Sequence, residues 1–340
     1  MNNLIIPEKL KKGDIIAFVS PSAGLAPFAM HRIDIAKKFF EDKGYVVKIS
    51  DHALENNDYV SSSAQERAGD INKMFDDKEV KMIICTIGGN HSNQILKYLD
   101  YELIKNNPKI FVGYSDITVL HNAILTKSEL ATYYGPCVMT QFGENPKVLD
   151  YTWEYFEKVL INNEKNIEIE PSKEWTEELL NWFEKDDLKR ERKLEKNSGY
   201  NWLKKGKAKS FLWGGCIPSI NHLIGTEYLN KPDDSIFFID IPEGEQFDKG
   251  LSIDSLDSYL ADLDNLGIFN KIKGLIIGRP FHYSDEDLEK LKVIILKYTE
   301  GENYPILMNV NLGHTDPVIT LQYGAKIILD SEKNIFSQII

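Results

Sequence analysis

Short apolar runs recur about every 30 residues through the first half of the chain, with helical patterns between them, and this alternation restricts the fold more than any other feature. The runs are DIIAFVS (14–20), YVVKIS (45–50), KMIICTI (81–87) and KIFVGY (109–114). Strands apolar on both faces and separated by helices require a parallel sheet covered on both sides. Ser63 and Glu66 stand at capping-box spacing, marking where one of these helices begins. A last helical pattern, VLDYTWEYFEKVL (148–160), closes the domain.

The expected fold is α/β: an N-terminal parallel-sheet domain of Rossmann/flavodoxin-like type over 1–165, a Trp-containing connecting segment over 166–206, and a smaller C-terminal α/β domain over 207–340. The connecting segment is dense in mixed charge yet carries Trp175, Trp182 and Trp202. It reads either as an amphipathic helix capping the domain junction or as an ordered loop whose aromatic face holds a substrate ring. The C-terminal domain alternates KSFLWGG, SIFFIDI (235–241), a helix near 253–266, GLIIGR (274–279), a helix over 285–297, and PILMNV. A final strand pair split by Tyr323-Gly324 gives it an antiparallel end.

Composition narrows the function. Lys plus Arg number 40 against 52 Asp plus Glu, a net charge of −12, which disfavours the phosphate contacts on which nucleic-acid binding depends. Cys85, Cys137 and Cys216 are widely spaced and odd in number, forming neither a disulfide framework nor a zinc ligand set, and they fit a reducing compartment. The N-terminal stretch MNNLIIPEKLKKGD lacks the core of a signal peptide, and no segment approaches the ~20 apolar residues needed to cross a bilayer. A cytoplasmic protein with no membrane or nucleic-acid partner is expected.

Chemistry is suggested by KIFVGYSDITVLHNAIL, where an apolar strand runs through Gly113-Tyr114 into Ser115-Asp116 and then directly into a helix. Such a turn exposes a serine as a nucleophile elbow does, although Ile117 replaces the second glycine of G-x-S-x-G; Ser115 is equally suited to be an N-cap. As nucleophile, it would leave the Asp116 N–H free to hold an oxyanion. Gly88-Gly89 ends the preceding strand, and the Gly89 N–H could complete that hole. Of seven histidines, His314 lies on a loop after a strand, in NVNLGHTDP, and Asp240 ends the apolar strand SIFFIDI, where a carboxylate is expensive without a partner.

SPS (20–22), TIGGNHSN (86–93), VGYSDIT (112–118), YYGP (133–136), GYNWLKKGKAKSFLWGGC (199–216), KGLIIGRP (273–280) and NLGHTDP (311–317) occur in this order along nearly the whole chain. The set resembles the LD-carboxypeptidase family of serine peptidases. Through its TIGG-x-x-SN stretch and the Trp-containing segment before GGC, it is more similar to the microcin C immunity subgroup than to peptidoglycan-recycling members. The resemblance implies a Ser-His-acid triad with Ser115 as nucleophile and His314 as base, no metal, no cofactor, and a homodimer. Where the family carries glutamate, this chain has Asp240, one methylene shorter, so Glu243 or Glu245 from the following loop is the alternative acid.

The expected substrate is a small peptide conjugate, foremost a microcin C-like peptidyl nucleotide, with Asn90, Trp182 and Trp202 as substrate contacts. The alternatives are removal of terminal D-alanine from muropeptides, and a binding protein whose triad has degenerated.

Overall fold

The structure, a computed structural model, describes residues 4–229 and 233–340; the first three residues of the N-terminal stretch lie outside them. Strands β1 (Ile15–Val19), β2 (Val46–Ile49), β3 (Val80–Cys85), β4 (Ile110–Gly113) and β5 (Tyr133–Tyr134) form a parallel sheet in the order 2-1-3-4-5, the flavodoxin-like arrangement. Every residue of β4, and every residue of β3 but Lys81, is buried, as a sheet covered on both faces demands. The helix Ala64–Asp76 starts at Ser63, whose side chain and that of Glu66 each accept the other residue's backbone N–H.

The remaining strands are β6 (Asn166–Glu168), β7 (Glu174–Trp175), β8 (Glu195–Lys196), β9 (Asn201–Lys204), β10 (Lys207–Cys216), β11 (Ile236–Asp240), β12 (Gly274–Gly278), β13 (Ile306–Val310), β14 (Leu321–Gln322), β15 (Lys326–Asp330) and β16 (Ile335–Ile339). Eight of them make one mixed sheet in the order 6-16-15-10-11-12-13-9, in which β10 to β13 are parallel and both flanks antiparallel. This second sheet is larger than the first because the connecting segment supplies β6 and β9, one at each edge.

The two sheets are joined at several points. Strand β14 pairs antiparallel with β5 and so returns the C-terminal chain to the first sheet. The indole N–H of buried Trp213 donates to Asn122 at 2.7 Å, and the Cys216 N–H donates to the Thr118 hydroxyl at 2.9 Å. A Cβ on Gly215 would stand 2.3 Å from Thr118, so glycine there lets β10 lie against the start of the helix that follows Ser115.

Between 171 and 207 the helical reading is overturned. The segment is an ordered loop carrying the β7–β8 ribbon, one short 3-10 turn, Asp186–Leu188, and the edge strand β9. Its side chains find partners in different elements, which a single helical face could not reach. Trp182 lies under the Arg32 guanidinium at 4.2 Å and Trp175 under that of Arg279 at 4.4 Å. Buried Asp187 accepts from Arg32 at 2.6 Å and contacts His31 at 3.0 Å, while Arg192 bridges Glu144 at 3.0 Å and Asp316 at 2.8 Å.

Arg32 is buried, so removing its main counter-charge should be expensive even with Glu144 still 3.2 Å away. Asp187→Ala is expected to cost about 3 kcal/mol in urea unfolding, the lower end for a broken buried pair. A cost below about 1 kcal/mol, the size of a surface pair, would contradict this account of how the segment is held.

Candidate active site

Ser115 stands at the carboxyl end of β4 with φ of +62°, a left-handed conformation that costs a non-glycine residue about 1–3 kcal/mol. An N-cap serine keeps extended dihedrals, and the Ser115 side chain caps neither the following 3-10 turn nor the helix Thr118–Ser128. The Ser115 Oγ instead meets the imidazole of His314. Ile117 is accommodated because the residue facing it is Gly113, where a Cβ would lie 3.0 Å from the isoleucine side chain.

His314 arrives from the loop after β13. Its Nε2 is 2.9 Å from Ser115 Oγ, and its Nδ1 is 3.0 Å from Asp240 Oδ1 and 2.9 Å from Oδ2. Asp240 is fully buried at the end of β11. Its shorter side chain reaches the imidazole because the neighbouring loop residue is Gly313: a Cβ there would sit 1.9 Å from Asp240 Oδ1. Burial disfavours the charged ring, but the Asp240 and Glu243 carboxylates, the hydrogen bond to Asp240 and the charge of Asp316 outweigh it. The His314 pKa is consequently raised to about 9.

The two alternative acids lie elsewhere. Glu243 approaches Nε2, at 3.4 Å, on the Ser115 side of the ring and not at Nδ1. Glu245 is exposed and makes no contact with His314 among the described residues.

The Gly88-Gly89 turn is packed directly on the elbow. A Cβ on Gly88 would lie 2.9 Å from Ser115 Cβ and 3.4 Å from the Asp116 nitrogen, and one on Gly89 would lie 2.5 Å from Ser22 Oγ. Gly88 therefore lies alongside the Asp116 amide, and Gly89 against Ser22 and Ala23. The fully buried Asp116 carboxylate holds this arrangement: one oxygen accepts from the Ser22 hydroxyl at 2.6 Å and from the His91 and Ser92 amides at 2.9 and 2.8 Å.

Of the expected substrate contacts, Asn90 is exposed beside this turn, and Trp182 is half-buried with one ring face on Arg32. The structure does not bring Trp202 here. Its indole N–H donates to Asn334 at 2.8 Å, in the turn between β15 and β16. That turn follows Asp330, which pairs with Lys207 at the opposite end of β10 from Cys216. A further exposed aromatic side chain, Tyr59, lies on His91, next to Asn90 in the chain, with ring centres 4.5 Å apart.

Sequence reasoning also missed Tyr134. Its buried hydroxyl donates to Asp240 Oδ2 and accepts the Ser115 N–H at 3.2 Å, tying the acid to the serine backbone. In YYGP it reads as a core aromatic, and only its polar tip hints at more.

Comparison with known proteins gives the family of the chain. The LD-carboxypeptidase N-terminal domain matches residues 16–135 and the C-terminal domain residues 209–329. YocD of Bacillus subtilis, which carries a carboxypeptidase name, is 39% identical over 316 residues, covering 93% of each chain. The microcin C7 self-immunity protein MccF of Escherichia coli is 31% identical, covering 97% of this chain and 95% of its own. The solved structure of MccF with aspartyl sulfamoyl adenosine superposes with a TM-score of 0.90 at 28% identity, over 99% of this chain and 98% of that one. The chain belongs to the LD-carboxypeptidase family, S66.

His314 can accept a proton only when neutral, so activity should rise as pH climbs toward about 9. The Glu243 carboxylate raises this pKa, and removing its charge must move the midpoint down. In NMR titrations of the imidazole, Glu243→Gln should therefore titrate at lower pH than the wild type. An unchanged or higher midpoint would contradict the assignment.

Proposed function

We propose that the protein is a serine carboxypeptidase-type hydrolase in which His314 takes the proton from Ser115 Oγ as the serine attacks an amide carbonyl. The observation that carries this reading is the unbroken chain of contacts Ser115 Oγ, His314 Nε2, His314 Nδ1 and Asp240 within ordinary hydrogen-bond distance. Asp240 holds the proton on Nδ1, leaves Nε2 to accept, and stabilises the imidazolium once it forms. The N–H groups of Gly89 and Asp116 face the tetrahedral oxygen. His314 then returns its proton to the leaving amine, and water releases the acyl group by the reverse path. Asp240 as acid is supported by its place at Nδ1, which weakens the case for a binding protein with a degenerate triad.

For the substrate we favour a peptidyl nucleotide resembling processed microcin C, cut between its terminal aspartyl unit and the nucleotide part. Support comes from the likeness to MccF, whose solved complexes hold aspartyl sulfamoyl adenosine, glutamyl sulfamoyl guanosine and adenosine monophosphate. Trp182, Tyr59 and Asn90 are the groups we assign to its nucleotide end. Muropeptide cleavage is the second reading, favoured by a Bacillus subtilis relative named for murein peptide carboxypeptidase activity, 28% identical over 329 residues. Three free, buried cysteines fit work in the cytoplasm, and among the described residues no helix is long and apolar enough to cross a membrane. We further propose a homodimer, on the strength of the family resemblance.

Incubating the protein with an aspartyl-nucleotide conjugate and with a muropeptide tetrapeptide separates the two substrates. The conjugate should be cleaved faster, and Ser115→Ala should lose about 10⁴- to 10⁶-fold in rate without unfolding. Trp182→Ala should weaken handling of the nucleotide conjugate by about ten- to hundredfold relative to plain peptide, the worth of one stacked base. Faster cleavage of the tetrapeptide would replace the first substrate by the second, and equal losses on both substrates would return Trp182 to a packing role.

A further inference from the structure

Cys216 ends β10 in parallel register with Asp240 at the end of β11, so both side chains leave the sheet on one face at its carboxyl edge. His314 reaches the same point from the loop after β13. One sulfur, one carboxylate oxygen and one imidazole nitrogen of these residues lie within 4.8 Å of one another. The mechanism above makes no use of the Cys216 thiol. Burial, with the nearby Asp240 and Glu243 charges, keeps it protonated in the free protein.

We propose that Cys216, Asp240 and His314 form a binding site for a thiophilic divalent cation of the Zn²⁺ or Cd²⁺ type, and that occupation of this site switches the catalytic base off. The donor set is a thiolate, an imidazole and a carboxylate, which suits such ions and leaves a fourth position for water. Zinc takes sulfur at about 2.3 Å and nitrogen or oxygen at about 2.0–2.2 Å, so tetrahedral donors stand about 3.4–3.7 Å apart: the sulfur has to close by about 1 Å at the widest, while Nδ1 and the carboxylate, now 2.9–3.0 Å apart, open by about half an ångström. Each is fixed at a strand end or on the short loop beside it, which favours one common point.

The protons and bonds balance without any redox change. The cation forms bonds to Cys216 Sγ, an Asp240 oxygen and His314 Nδ1; it displaces the thiol proton to solvent, and the Nδ1 proton of the neutral base moves by way of solvent to Nε2, or, where the ring starts as imidazolium, leaves to solvent while Nε2 keeps its own. The neutral imidazole then carries its remaining proton on Nε2, which faces Ser115 Oγ as a donor. In that form it cannot take the serine proton. Metal binding depends on three side chains alone; only its effect on catalysis rests on the hydrolase reading.

The test is a titration of metal-free protein with cadmium chloride, following the ultraviolet thiolate-to-cadmium charge-transfer absorption, alongside the rate at which a fluorophosphonate modifies Ser115. Wild type, Ser115→Ala and a Cys85→Ala/Cys137→Ala double variant should each develop the band and saturate at one equivalent. Cys216→Ala and the closer-fitting Cys216→Ser should not. Changes beyond the direct ligands already cost about 10- to 100-fold in metal affinity, so inhibition of labelling by cadmium should weaken at least that much in Cys216→Ser. A band that survives in both Cys216 variants, or none in the wild type, overturns the site, and cadmium bound without slower labelling overturns the switch. Metal-free wild type that binds cadmium yet never reacts with the fluorophosphonate leaves the site standing and overturns the hydrolase reading instead.

Discussion

The imidazole of His314 is the point on which the two halves of the molecule meet. Its Nε2 faces a serine on the first sheet, and its Nδ1 faces a carboxylate on the second. A displacement of about 1 Å between such groups can cost a hundredfold in rate, so the sheets must hold a fixed relation. Much of the surrounding structure is explained by that demand. Strand β14 crosses back to pair with β5, the Trp213 indole is anchored on Asn122, and Gly215 admits Thr118 at a separation no side chain would allow. Tyr134 adds a direct polar link, since its hydroxyl touches both the acid and the serine amide.

The loop between β6 and β9 extends this bracing around the outside. Arg192, half-buried, sits between Glu144 of the first domain and Asp316, two residues beyond His314, while Asp187 neutralises Arg32 from the same loop. Thr176 and Asp316 exchange backbone hydrogen bonds at 2.7 and 2.8 Å, adding a short rung beside the histidine loop. Buried ion pairs are poor sources of net stability, because desolvation offsets most of the attraction. Here they fix position: each cation has carboxylates in different elements, and only one mutual placement satisfies them all.

How much of this could be read from residues alone varies by feature. The parallel sheet was legible because residues 82–85 of β3 and all of β4 are continuous apolar runs, and Ser115 because a strand, a Gly-Tyr-Ser-Asp turn and a helix follow one another without a gap. Asp240 stood out as a carboxylate at the end of Ile-Phe-Phe-Ile, a placement that needs a partner. The connecting segment was not legible. Its charges and tryptophans suit a helix locally, and only partners as distant as Arg32 and Arg279 make an extended ribbon the better solution. Tyr134, Cys216 and the Asp116 carboxylate were missed for a related reason, since each looks like ordinary core or turn until the opposite element is in place. Trp202 shows the converse, an aromatic residue in a suggestive segment that spends its indole N–H on Asn334 at the far end of the sheet.

The central claim is that Asp240, through His314, makes Ser115 a nucleophile. The most direct measurement is the rate at which a fluorophosphonate adds to the protein, followed by intact mass and located by peptide mapping, in wild type, Asp240→Asn and Asp240→Glu. One phosphonyl group should appear on Ser115 in the wild type. The Asp240→Asn protein should react about 10⁴-fold more slowly, because an amide neither fixes the Nδ1 proton nor stabilises the imidazolium, and Asp240→Glu should remain reactive. A wild type that stays unmodified, or an Asp240→Asn variant that reacts at the wild-type rate, would contradict the account.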